Sequence, residues 1–466
     1  MAATWSSSGL ILLLGLVLFD SPPRTDAFKY FSTKTPYAWG HSVAETDLED
    51  KLFNENAENL MCSAVHTSIV ARHGTRFPGV DDVVQLSEIH AKIKNEHVKE
   101  NYPDLYSWKN PFPDNNRKAL SDLGEKELID FGTRTAQRLF SLFAEEDSDS
   151  FRYIISSTDR TRDSSRAFYE GLTGVLSEDG DETEEDYEPE IIDKLLRFHT
   201  LCDKYVKSVG DNKTALKEYY SFQEGELLGS TKKKVSEKLG IAEDVLSAGE
   251  IRTVFLMCGY EAAIFKSSPW CQLLDEKDMR ALEYLGDLKH YYKNGPGYEI
   301  NWKQACPLVA DIFYTMDDAI DALESMDGSD EDDGYIIGQF AFGHAETLGP
   351  LYTSFGLFND TEPLRADNFQ KQEQRQFRTS HILPFGANLQ LILYECEPPE
   401  QYLNPDEDFE HNPDYYLKLL VNEEAQRIPG CDSDLCSYAS VRSRLKDQID
   451  GCNFVQTCRV RTKDEL

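Results

Sequence analysis

The sequence predicts an α/β domain interrupted by a mostly helical insertion. Three observations carry this. Short β-branched and aromatic runs at residues 66–71, 151–157 and 335–343 each end on a loop that bears Arg, His or Glu. Helical patterns follow the first two runs, which is the strand–loop–helix alternation of an α/β sheet. Between residues 191 and 326 no convincing strand occurs, and acidic stretches at 178–190 and 327–333 bracket that region. The expected organisation is one discontinuous α/β domain over 28–190 and 327–462, with 191–326 inserted.

Residues 66–71 read HTSIVA and suit a buried strand that runs into Arg72-His73-Gly74. A helix is expected over 80–100. Ser121 is placed to cap another over 122–143, with Leu128, Phe131, Ala136, Leu139 and Leu142 on one face. FRYIISS at 151–157 is the second strand, followed by a helix near 163–172. The stretch 178–190 mixes acids with Gly180 and Pro189 and reads as a solvated boundary loop. Helices are expected at 191–206, 247–265, 279–292 and 312–326. YIIGQFAFG at 335–343 returns to strand, with NLQLILY at 388–394 and YLKLLV at 416–421 as further strands.

Composition narrows the function. Hydrophobic residues are 40% and aromatics 11% of 466, enough for a core and too many for a wholly disordered chain. The formal charge of −35 argues against nucleic acid or anionic membrane as partners, since both need a basic footprint. Phosphate chemistry would have to rest on a local cluster of cations.

The termini carry addresses. Residues 9–19, GLILLLGLVLF, have signal-peptide length and fall short of the ~20 residues a membrane span needs. Thr25-Asp26-Ala27 spaces small residues for cleavage, so 1–27 is expected to be a signal peptide; a signal anchor is the alternative, because no Lys or Arg precedes the apolar core. No later stretch reaches transmembrane length. Residues 463–466 read KDEL, a receptor-read retrieval signal. The expected location is the endoplasmic reticulum lumen, with the KDEL receptor as a partner. Ten cysteines, an even number, suit disulfides in that oxidising compartment. Cys431/Cys436 and Cys452/Cys458 can each close a short loop, and the connectivity stays open. Asn212-Lys213-Thr214 and Asn359-Asp360-Thr361 are glycosylation sequons.

The chemistry sits at strand ends, where open α/β sheets bind ligands. In Arg72-His73-Gly74-Thr75-Arg76-Phe77-Pro78, two guanidiniums match phosphate oxygens and His73 is a nucleophile toward phosphorus, kept neutral by nearby cations. Alone, Arg-His-Gly reads equally as a basic surface loop. Arg160 follows the second strand as a third guanidinium, with Arg162 and Arg166 as alternatives. In His344-Ala345-Glu346, His344 can bond a phosphate oxygen and Glu346 can act as general acid, given a carboxyl pKa raised by a neighbouring phosphate. Alone, that tripeptide reads as a structural pair.

RHGTRFP at 72–78 matches the RHGxRxP signature, and by it the chain resembles the histidine acid phosphatases, branch 2 of the histidine phosphatase superfamily. His344-Ala345-Glu346 in place of the more common His-Asp, Thr33-Lys34-Thr35, and HILPFGANL at 381–389 make it similar to the multiple inositol polyphosphate phosphatases. The resemblance implies a phosphoglycerate-mutase-like α/β domain with an inserted α domain walling the cleft. It implies a phosphohistidine on His73, phosphate held by Arg72, Arg76, Arg160 and His344, and proton transfer by Glu346. It implies no metal and no cofactor. Implied substrates are inositol hexakisphosphate, lower inositol polyphosphates and the 3-phosphate of 2,3-bisphosphoglycerate. Such polyanions need further cations. The insertion offers Lys204, Lys207, Lys213, Lys217 and Lys232-Lys233-Lys234, although a solvated helix face is the commoner place for lysine. Two other classes fit parts of the sequence: a lumenal acidic calcium-binding protein, and an inactive relative that binds polyphosphates. Calcium binding without phosphatase activity would mark the first, and binding without turnover the second.

Overall fold

A computed structural model describes residues 31–41, 51–54, 60–113, 117–144, 148–176, 187–325, 334–397 and 414–460. The expected signal peptide, the KDEL signal, and most of the acidic stretches at 178–190 and 327–333 lie outside the described residues.

The strands are β1 (Lys51–Asn54), β2 (Leu60–Arg72), β3 (Phe151–Ile155), β4 (Glu190–Ile191), β5 (Gly338–Gly343), β6 (Asn388–Glu397), β7 (Asp414–Val421), β8 (Glu424–Ala425) and β9 (Leu435–Ser437). Among the described residues they form one sheet in the order β4-β3-β5-β2-β6-β7-β8, with β1 on β2 and β9 on β7. The pairs β4/β3, β3/β5 and β5/β2 are parallel, and β2/β6 and β6/β7 are antiparallel.

The longer helices are α1 (Val80–Ile93), α2 (Asp122–Arg138), α3 (Asp159–Leu176), α4 (Glu226–Leu239), α5 (Ala248–Phe265), α6 (Glu276–Asn294), α7 (Cys306–Ser325) and α8 (Ala345–Ser354). Strand alternation divides the core into two layers. Leu389, Leu391 and Leu393 of β6 face α4–α8, whereas Ile392 and Tyr394 face α2 and α3. The class is therefore α/β, as expected, with the larger helical layer on one sheet face and α2 and α3 on the other.

Several local expectations need correction. The helix expected over 80–100 breaks after Ile93, because the Asn95 side chain accepts from Val98 N at 2.9 Å and starts a new helix, Glu96–Asn101. Both pieces pack into the same core cluster as α4–α7, so this N-terminal stretch joins the helical layer. Residues 191–206 form separate turns, Asp193–Leu196, Phe198–Leu201 and Asp203–Tyr205, instead of one helix. Ser121 does cap α2, accepting from Gly124 N at 3.3 Å, but the helix ends at Arg138.

Five disulfides form: Cys62–Cys396, Cys202–Cys458, Cys258–Cys271, Cys306–Cys452 and Cys431–Cys436. The short Cys431–Cys436 loop is present. A Cys452–Cys458 loop is not, because each of those cysteines instead ties the C-terminal segment to the helical layer.

Helices α2 and α3 approach through glycine. A Cβ on Gly132 would overlap the Phe168 carbonyl oxygen, and one on Gly171 that of Ile129. Gly171→Ala should therefore lower stability by about 1–3 kcal/mol, read as a fall in Tm, since the rigid backbone opposite cannot yield as a side chain would.

Candidate active site

The parallel half of the sheet sets three loops side by side. Arg72 is in register with Gly343, and Ile155 with Phe342, so β2, β5 and β3 end together. At these ends lie Arg72 and His73 after β2, His344 with Ala345 and Glu346 of the first turn of α8 after β5, and Arg160 in the first turn of α3 after β3.

The loop after β2 is held from several sides. Arg72 N donates to Ala387 O at 2.7 Å. Its Nη1 donates to Thr33 O at 2.8 Å and Leu383 O at 2.7 Å, and the guanidinium lies 4.4 Å from the Phe385 ring centroid. Gly74 is needed because a Cβ there would overlap the Gly124 carbonyl at the start of α2. Glu127 of α2 accepts from Thr75 N (2.8 Å), Thr75 Oγ1 (3.0 Å) and Tyr37 N (3.0 Å), which staples the N-terminal segment to this loop.

The tautomer of His73 follows from its hydrogen bond. Nδ1 donates to the Gly74 carbonyl at 2.9 Å, so Nε2 keeps the lone pair. Burial, then Arg72, Arg76 and Arg160, lower its pKa well below the usual imidazole value, so His73 is neutral at ordinary pH.

His344 has the opposite tautomer. Arg160 Nη2 donates to its Nδ1 at 3.2 Å, leaving Nε2–H to donate to Ser156 Oγ at 3.0 Å. Burial and Arg160 lower its pKa to about 3, so it is neutral. Both ring nitrogens are thus engaged by protein. Through Nδ1, His344 orients Arg160. Of the three arginines after β3, Arg160 points inward, whereas Arg162 and Arg166 are exposed.

Three cations crowd this point, and the Glu346 carboxylate acts on Arg72 and Arg160. Burial, then Arg76, lower the Arg72 and Arg160 pKa values to about 9 and about 10, which leaves both charged. The Nε of Arg72, of Arg76 and of Arg160 is in each case buried without a hydrogen-bond partner among the described residues. Buried donors normally find acceptors, so three orphaned guanidinium N–H groups, on arginines that all lower the His73 pKa, point to an anion.

A model of the histidine phosphatase superfamily (branch 2) matches residues 65–422. The multiple inositol polyphosphate phosphatase 1 of Gallus gallus is 35% identical over 402 residues, covering 86% of this chain and 85% of that protein. The Homo sapiens protein of the same name is 32% identical over 465 residues, covering 96% and 92%. The chain belongs to the multiple inositol polyphosphate phosphatase family of branch 2. A solved relative, the Bifidobacterium longum multiple inositol polyphosphate phosphatase in complex with inositol hexasulfate, shares the fold at TM-score 0.69 and 17% identity, covering 93% of this chain and all of that one. The chain is accordingly a phosphatase.

In this family member Glu346 lines a cleft of about 460 Å³, whereas Arg72, His73, Arg76, Arg160 and His344 are not among its lining residues. Lys34, Arg252 of α5, and Lys289, His290 and Lys293 of α6 line it too, with His199 from the turn Phe198–Leu201. Burial and the neighbouring Arg252 and Lys293 lower Lys289 to about 8, and burial, Arg76 and Arg72 lower Lys34 well below the usual ammonium value. Burial alone would raise the Glu346 carboxyl, but His199, His290 and His344, once protonated in acid, outweigh it and hold the pKa below the ordinary range.

Sequence reading missed most of these cations. Lys204, Lys207, Lys213 and Lys217 face solvent, and Lys234 pairs with Asp275 (2.8 Å) and Asp278 (2.7 Å). None of the insertion lysines singled out by sequence lines the cleft. The usable signals were Arg252 inside a mostly apolar helix and Lys289/Lys293 at i,i+4 with His290 between them.

Proposed function

We propose that the chain hydrolyses inositol hexakisphosphate and lower inositol polyphosphates through a phosphohistidine on His73. The observation that carries this is the set of unpartnered guanidinium Nε–H groups around a neutral histidine whose Nε2 keeps its lone pair. Nε2 attacks phosphorus in line, the bond from phosphorus to the ester oxygen breaks, and Glu346 gives its proton to the leaving alkoxide. The Glu346 carboxylate then takes a proton from water as the water oxygen attacks phosphorus. The P–Nε2 bond breaks and inorganic phosphate leaves. Arg72, Arg76 and Arg160 balance charge on the equatorial oxygens throughout. His344 acts through Arg160.

The substrate class is supported by the names of the relatives, by the inositol hexasulfate bound to the bacterial one, and by a cleft whose Lys34, Arg252, Lys289 and Lys293 can face the phosphates that are not being cleaved. The 3-phosphate of 2,3-bisphosphoglycerate is the second substrate of this reading. The test is phosphate release by the purified protein from both compounds with EDTA present, since the proposed steps use no metal. Release from neither would overturn the reading.

The proposal includes residence in the endoplasmic reticulum lumen, retrieval by the KDEL receptor, and glycans on Asn212 and Asn359. Support comes from five disulfides and from the exposed side of Asn359. Deleting residues 463–466 should move the protein from cells to medium, measured by immunoblot of both fractions. Unchanged retention would count against the retrieval signal.

A further inference from the structure

A buried ion quartet lies outside the phosphate-transfer centre. Glu283 and Asp287, one turn apart on α6, have side chains 1% and 0% exposed. They meet Arg375 and Arg378, from the segment before β6. Arg375 Nε donates to Asp287 Oδ2 at 2.7 Å and its Nη2 to Glu283 Oε2 at 3.3 Å. Arg378 reaches both Glu283 oxygens from Nε, at 3.0 and 3.2 Å. Asp287 Oδ1 also accepts from Thr379 N at 2.8 Å, and Ser380 Oγ donates to Glu283.

Two acids against two guanidiniums carry no net charge, and replacing such a buried set by apolar residues is often neutral for stability. What so many directional bonds do specify is geometry. The segment they fix runs on to Leu383, whose carbonyl holds Arg72, and to Phe385, which lies against it. Thr379 Oγ1 also meets Ser32 Oγ at 2.8 Å, two residues before Lys34. In the other direction, α6 continues from Asp287 to the cleft residues Lys289, His290 and Lys293, of which the two lysines are the cations.

We propose that Glu283 and Asp287 are positioning residues that hold the α6 cations in register with the His73 centre. They thereby set how a polyphosphate, as against a monophosphate, is placed for attack; this rests on the proposed function. The centre itself is also tied down by the sheet, through Arg72 N to Ala387 O, and by Glu127 on Thr75. Loosening the quartet therefore shifts α6 more than it shifts His73.

The test compares kcat/KM for inositol hexakisphosphate with kcat/KM for p-nitrophenyl phosphate in Glu283→Gln, Asp287→Asn and Arg378→Gln. The ratio of the two is independent of the fraction of protein that is active, so simple destabilisation leaves it unchanged. The expected result is a fall of about tenfold in that ratio for Glu283→Gln, mainly through KM for the hexakisphosphate, and a smaller fall for the others. Arg378, 20% exposed, is the site most tolerant of change and decides the matter if the acid variants do not fold. An unchanged ratio, or equal loss on both substrates, overturns the inference. Absence of His73-dependent hydrolysis of p-nitrophenyl phosphate in the unaltered protein would instead overturn the proposed function, and the inference with it.

Discussion

His73→Ala should lower phosphate release from inositol hexakisphosphate by roughly 10⁴-fold or more while the protein stays folded and still binds the substrate. Alanine removes the only atom proposed to bond phosphorus. It leaves Arg72, Arg76 and Arg160, each anchored by contacts that do not involve the His73 ring: the Thr33 and Leu383 carbonyls, the Phe77 carbonyl, and His344. Binding should therefore persist, and calorimetry with inositol hexakisphosphate can show it. The structural cost is that of one buried ring whose side chain bonds the adjacent Gly74 carbonyl, on the order of 1–3 kcal/mol. Circular dichroism and Tm monitor that cost separately from turnover. Turnover that survives in the variant would sink the phosphohistidine mechanism.

Glu346→Gln should slow kcat/KM for inositol hexakisphosphate by about 10²–10³-fold, and much less for p-nitrophenyl phosphate. An inositol alkoxide is a poor leaving group and needs a proton, whereas p-nitrophenolate leaves without one. Because kcat/KM reports the steps through phosphorus transfer, the comparison isolates the general acid from the later attack of water. The pH dependence carries the same signature. In the ligand-free cleft Glu346 sits below the ordinary carboxylate range, and an incoming phosphate dianion raises it by like-charge repulsion. The reactive form needs that proton, so the rate on the hexakisphosphate should fall as pH rises through the Glu346 pKa of the complex. His73 opposes this at low pH less than an ordinary histidine would, because burial, Arg72, Arg76 and Arg160 lower its pKa well below 6.5. In Glu346→Gln the alkaline fall should disappear. Equal slowing of both substrates, with the pH profile kept, would remove Glu346 as the acid.

The two predictions differ in how their residues were found. His73 and its arginines are contiguous in Arg72-His73-Gly74-Thr75-Arg76, and a strand that runs into such a loop is a local pattern. The β5 strand before His344 and the β3 strand before Arg160 are equally local, since alternation and β-branching are read from neighbours in sequence. Glu346 could be named as the available acid, but its environment could not: His199 and His290 reach it from 147 and 56 residues away in the chain.

By itself the sequence determined the α/β class, the strand ends that bear the chemistry, and the contiguous run that holds Arg72, His73 and Arg76. Each depends on residues a few positions apart, whose spacing is the signal. The tertiary structure alone decided which cations line the cleft, that His344 bonds Arg160, that Cys452 joins Cys306 and Cys458 joins Cys202, and that residues 80–106 belong with the helical layer. A lysine on a helix face reads the same whether that face meets water or a cleft, and a cysteine carries no record of its partner. Those outcomes depend on how helices dock on the sheet, through the summed burial of many side chains that no local window contains.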